Sequence, residues 1–177
     1  MRIRTIVTAT LTAVLLTGCA PGSSSEPLPT PASRETDTVQ GTATFDVPRG
    51  WRAVSEGSTT ILQPRVADTN QVRITVLESR KGAKDVETAA RLTREAARQD
   101  DDSARFGADR TFDDQTWFTV SSTVESDDGT TERLAYGTVT GGYRLLVQLE
   151  TDDVDDATAL DARETLRELM DSVRLSR

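Results

Sequence analysis

The chain has 177 residues, 29 of them acidic and 21 basic, for a formal charge of -8. Nucleic-acid binding, which wants a basic face, is therefore not expected. Histidine is absent and there is one cysteine, Cys19, which excludes imidazole metal sites, Ser-His-Asp and Cys-His catalysis, and an internal disulfide.

Residues 1–18 read as a signal peptide. Arg2 and Arg4 form a positive start, and Ile6 to Leu16 form an apolar run of 11 residues. That is shorter than the roughly 20 residues needed to span a bilayer. Leu16-Thr17-Gly18-Cys19 then matches a bacterial lipobox, resembling the signal of lipoprotein precursors. In that family the Gly18–Cys19 bond is cut and Cys19 carries the acyl chains, palmitate among them. An ordinary secreted protein with a free cysteine is the alternative, and it leaves the position of the lone cysteine unexplained. Two or three acyl chains suffice for stable anchoring. The expected location is the extracytoplasmic face of the cell membrane, lipid-anchored. Removal of Arg2 and Arg4 leaves 19 basic against 29 acidic side chains, a charge of -10. Such a body is repelled by anionic headgroups, so the acyl chains would hold it alone.

Residues 19–40 hold the candidate lipidated cysteine and then a Pro/Ser-rich stretch with four of the six prolines and no apolar periodicity. Too little surface can be buried there to offset ordering entropy, and a disordered linker is expected. Residues 41–177 read as one domain. Thr42–Val47, Trp51–Ser55, Thr59–Gln63 and Gln71–Glu78 show strand alternation, with Pro48-Arg49-Gly50 a turn. Trp51 reads as a plug at its strand start. The period then becomes helical from Asp85, an N-cap, through Val86, Ala89, Ala90, Thr93 and Ala97. Strands over Ala104–Phe112, Gln115–Glu125, Thr131–Thr140 and Tyr143–Glu150 follow, the last three joined by Asp127-Asp128-Gly129 and Gly141-Gly142 turns. A closing helix from near Val154 carries Leu160, Leu166, Leu169, Met170 and Val173. This order predicts an α+β fold, an antiparallel sheet sandwiched with two helices.

Phe45-Asp46-Val47-Pro48-Arg49-Gly50-Trp51 resembles the F-x-V-P-x-G-W opening of the Mog/PsbP-like fold, and the element order through Arg174 is similar to it. With the lipobox, the chain is most similar to small actinobacterial lipoproteins of the LpqN type. The abundance of arginine over lysine fits a high-GC genome. The resemblance implies an antiparallel sheet flanked by helices and an accessory or partner-binding role without catalysis. PsbP-type relatives assist photosystem assembly and Mog-type relatives bind a small GTPase, but neither role follows from fold alone. Metal binding through histidines, linked to some PsbP-type proteins, has no residues here.

Chemistry has few places to reside. Asp113-Asp114, Asp127-Asp128, Asp152-Asp153 and Asp155-Asp156 are carboxylate pairs, but neighbours in sequence point apart. Turns and helix starts account for their positions. Thr151–Glu164 lacks the spacing of a calcium loop, so no metal and no cofactor are expected. No catalytic residue is assigned, and the chain is not read as an enzyme. If Phe118, Val120 and Val124 face the core, Trp117 points the other way beside Thr119 and Ser121, with Arg144 and Gln148 on its side. Trp117, Thr119 and Arg144 then form a candidate interaction surface, since an aromatic anchor with arginine is the composition of a hot spot. The competing reading is that the first hairpin folds over this face and buries Trp117. The leading function is thus a membrane-anchored, non-catalytic interaction module for another envelope protein. The alternative is a carrier or sensor of a small apolar ligand or lipid, held between sheet and closing helix near Leu145, Leu149, Leu166 and Met170.

Overall fold

Ten strands and two helices make up the described part of the chain. The computed structural model describes residues 36–39, 42–65, 71–79, 84–100, 103–127 and 129–176. The expected signal peptide, Gly18, Cys19 and the expected linker up to residue 35 lie outside the described residues.

Strands β1 (Thr36–Val39), β2 (Ala43–Asp46) and β10 (Arg174–Leu175) form a small antiparallel sheet in the order β1-β2-β10. Strands β3 (Trp51–Glu56), β4 (Thr59–Pro64), β5 (Val72–Ser79), β6 (Arg105–Phe112), β7 (Gln115–Ser126), β8 (Gly129–Thr140) and β9 (Tyr143–Asp152) form the main sheet. Its order is β3-β4-β5-β9-β8-β7-β6, antiparallel throughout. Helices α1 (Val86–Asp100) and α2 (Asp156–Ser172) complete the domain. The expected α+β architecture is the observed one. The linker expectation needs one correction. Thr36–Val39 is a strand, because backbone pairing with Ala43–Asp46 requires no apolar alternation in its own residues.

Cross-strand register assigns each residue of the main sheet to a face. One face carries Leu62, Ile74, Val76, Leu145, Val147 and Leu149, and it packs against Ala162, Leu166, Leu169 and Met170 of α2 and Ala43 and Phe45 of β2. This is the principal core. The other face carries Phe118, Val120, Val139 and Leu146, which meet Val86, Ala89 and Ala90 of α1. The alanines let that helix approach the sheet closely. Leu160, expected in the helix core, is 61% exposed, because it lies well round the helix from Leu166 and Met170.

Both helix starts are capped as their sequences dictate. The Asp85 carboxylate accepts the Thr88 N–H at 2.7 Å, and Asp155 accepts the Thr158 N–H at 2.8 Å. These hydrogen bonds hold both carboxyls below the usual carboxylate range. Trp51 is buried at the start of β3 and donates its N–H to the Pro48 carbonyl across the Pro-Arg-Gly turn, where Gly50 has φ +83°.

Candidate functional site

Trp117 is fully buried. It sits on the principal-core face, since Phe118 pairs with Gly137 and Trp117 therefore stands level with Thr138 and Leu145. Its indole packs edge-on to Phe112 with centroids 6.1 Å apart, and its Nε1 donates to the Phe112 carbonyl at 3.4 Å. Arg144 pairs with Val139, which places it on the opposite face with Phe118. Thr119 is half-buried on Trp117's face and donates its hydroxyl to the Ala108 carbonyl. Trp117, Thr119 and Arg144 therefore do not form one exposed surface. The reason is that β7 is covered on both sides, so that adjacent Trp117 and Phe118 each reach a core.

The face that Trp117 shares does open further along β7. There a cleft of about 380 Å³ lies between the strands and α2. Its floor is two cross-strand rows, Ser121–Leu134–Leu149 and Thr123–Glu132–Thr151. Its wall is Arg163 of α2, whose guanidinium is ion-paired with Glu132. Leu160 projects into solvent one helical turn before Arg163, on the same flank of α2. The site thus offers three hydroxyls, a paired cation and anion, and an aliphatic floor. The volume falls in the range of small-molecule and peptide-side-chain pockets. Sequence reasoning set Ser121 beside Trp117 and Leu149 in an apolar cleft but missed Thr123, Glu132 and Leu134, because only the register brings these strand positions level with Leu149 and Thr151.

Other sequence candidates resolve into structural roles. Asp113 and Asp114 have positive φ, 49° and 57°, in the β6–β7 hairpin turn, and Asp113 accepts the Leu175 N–H at 2.9 Å. Asp152 accepts the Thr131 hydroxyl at 2.6 Å, and Asp155 is the α2 cap. Asp128 lies outside the described residues. Among the described residues no group of three or more potential metal ligands converges, and no helix is long and apolar enough to cross a membrane. Leu145, Leu149, Leu166 and Met170, the proposed walls of an apolar ligand cleft, are each at most 2% exposed and fill the space between them.

Comparison with solved structures identifies the architecture. LpqN of Mycobacterium tuberculosis, described as involved in cell envelope biogenesis, superposes with a TM-score of 0.56 at 14% identity, over 77% of this chain and 86% of that one. The PsbP protein of Synechocystis sp. PCC 6803 gives 0.54 at 16%, over 81% and 91%. The Ran-binding protein Mog1p of Saccharomyces cerevisiae gives 0.51 at 11%, over 81% and 96%. The chain has the Mog1/PsbP-like α+β fold. It spans 45% of a larger Bacteroides thetaiotaomicron protein that contains a similar domain. No family model matches the sequence, and no curated protein sequence does. Within the Mog1/PsbP-like architecture, the cleft lies on the core face of the sheet beside α2.

Proposed function

We propose that this chain is a lipid-anchored envelope protein, of actinobacterial LpqN type, whose Mog1/PsbP-like domain binds a partner protein without catalysing a reaction. The observation that carries this reading is the half-open cleft floored by Ser121, Thr123, Leu134 and Thr151 and walled by Arg163. Its hydroxyls and ion pair suit recognition of a polar peptide segment, and exposed Leu160 supplies an aliphatic lip. The fold shared with LpqN and with a Ran-binding protein supports an envelope setting and an interaction role. Anchoring rests on Leu16-Thr17-Gly18-Cys19.

Two experiments separate the two halves of this proposal. A photo-crosslinking residue at Thr123, in the intact protein in its native cells, is expected to trap a discrete partner, and Ser121→Trp is expected to abolish the adduct by filling the cleft. The same yield from a probe at exposed Glu87 on α1 overturns the cleft as the binding site. Cys19→Ser is expected to release the protein from the membrane fraction, and retention there overturns the anchor.

A further inference from the structure

Among the described residues, α1 covers its sheet face over β7, β8 and the adjoining end of β9, with Arg94 reaching over Phe106 of β6. Beyond the helix a polar row crosses the sheet at one level. In register it runs Arg52, Gln63, Arg73, Glu150, Arg133 and Ser122. The Gln63 position follows from the Leu62–Ile74 pair beside it. Glu150 is the hub. Its side chain is 7% exposed, and each carboxylate oxygen accepts a guanidinium: Oε1 from Arg73 Nη2, and Oε2 from Arg133 Nε at 2.9 Å. Gln148 Nε2 reaches the same Oε2 at 3.4 Å, and Arg52 Nη2 donates to Gln63 Oε1 at 3.4 Å.

One arginine would neutralise Glu150, so the second is surplus charge. Arg73 and Arg133 are each 43% exposed, and half-exposed ion pairs contribute little stability. Among the described residues, Arg133 is held only through its Nε, with both Nη groups left over, and Arg73 only through Nη2. Two guanidinia fixed by a carboxylate beneath them, with donor edges free, are preorganised for a second carboxylate above, through charge-assisted bonds. Two residues along the sheet toward the β3 edge, Val54 is 49% exposed and its cross-strand partner Ile61 is half-buried. An aliphatic surface therefore adjoins the arginine row. The exposed acids of α2 (Asp161, Glu164, Glu168 and Asp171) belong to the helix over the opposite face, so the negative body does not mask this row.

We propose that this face is a second docking surface, which takes an acidic segment of a partner polypeptide with a glutamate or aspartate carboxylate seated between Arg73 and Arg133 and neighbouring aliphatic side chains on Val54 and Ile61. It does not depend on the cleft, whose floor side chains belong to the other side of the sheet, although Arg133 and Ser122 of the row also border the cleft. With both, the domain bridges two partners.

The probe is a fluorescein-labelled Leu-Glu-Val-Glu-Val peptide and its Leu-Gln-Val-Gln-Val counterpart, titrated by anisotropy into the detergent-solubilised full-length protein. The glutamate peptide is expected to bind at least about tenfold tighter, with the preference shrinking in high salt. Arg133→Gln, which leaves Arg73 on Glu150 and so keeps the buried charge paired, is expected to erase that preference. Ser121→Trp is expected to leave it intact, which distinguishes this surface from the cleft. Equal binding of the two peptides by the unmodified protein overturns the proposal without reliance on any variant. So does a preference that survives Arg73→Gln and Arg133→Gln together. Displacement of bound glutamate peptide by phosphatidylglycerol vesicles but not by excess unlabelled peptide also overturns it, assigning the row to a lipid surface.

Discussion

Phe118 occupies the space that a side chain on its cross-strand partner Gly137 would need: a Cβ at residue 137 would stand 2.1 Å from Phe118 Cζ. The ring cannot retreat freely, because Ala89 and Ala90 of α1 close over it, at 0% and 8% exposure. Gly137→Ala is expected to destabilise the domain by about 1–3 kcal/mol, the usual cost of overpacking. Urea denaturation would show it, and adding Phe118→Leu should recover part of the loss. An unchanged midpoint in the single variant would mean that the ring relocates at no cost.

Trp117→Ala is expected to cost about 3–5 kcal/mol, the range for deleting a buried aromatic side chain. A surface tryptophan would change stability by within about 0.5 kcal/mol. The same denaturation experiment separates these outcomes, and the lower one would return Trp117 to the surface.

Arg163 and Glu132, the ion pair at the cleft wall, are 52% and 41% exposed in their side chains. Arg163→Ala should therefore change stability by less than about 1 kcal/mol. A loss of crosslinking from Thr123 in that variant would report on recognition and not on folding. A large stability loss would instead mean that Arg163 holds α2 in place.

Asp155 and Asp85 contribute through their caps. Hydrogen bonding to the backbone lowers each folded-state value below that of the unfolded chain. Their contribution is therefore fully present at neutral pH and is lost as acidification carries the solution down through the folded-state values, from about pH 4 downward. Asp155→Ala should lower Tm by a few degrees at pH 7 and flatten the Tm profile at acid pH. A variant with the same acid slope as the parent would assign that slope to other carboxylates.

Glu78 is 3% exposed, and among the described residues it is held by one hydroxyl, the Thr42 Oγ1 donating to Oε2 at 2.5 Å, while Oε1 has no partner there. Thr42→Val keeps the shape and removes that donor, with an expected cost of about 1–3 kcal/mol. Equal stability of Thr42→Val and the parent would show that the hydroxyl does not matter to the carboxylate.

Most elements were legible because period decides them. Val72, Ile74 and Val76 announce a strand, and Val86, Ala89, Ala90 and Thr93 a helix. What the pattern could not supply was register. Alternation correctly put Trp117 and Phe118 on opposite faces, but it carries no sign for which face holds the main core. Aligning Phe118 with Leu145, when the sheet pairs Gly137 with Leu146, moved Arg144 to the wrong side by a slip of one residue. β1 and β10 escaped notice because Thr36–Val39 shows no apolar alternation and Arg174–Leu175 is two residues long. The cleft escaped because it exists only where three strands and α2 are assembled.

The pairing that closes the main sheet has a kinetic consequence. β5 meets β9 through partners such as Val72 and Thr151, 79 positions apart, and β2 meets β10 through Ala43 and Leu175, 132 positions apart. The β6–β9 meander can form locally, but β2 to β5 must wait for the last quarter of the chain before their apolar face is covered. A polypeptide emerging N-terminus first exposes Leu62, Ile74 and Val76 throughout that interval, so a holding chaperone has a defined window in which to act.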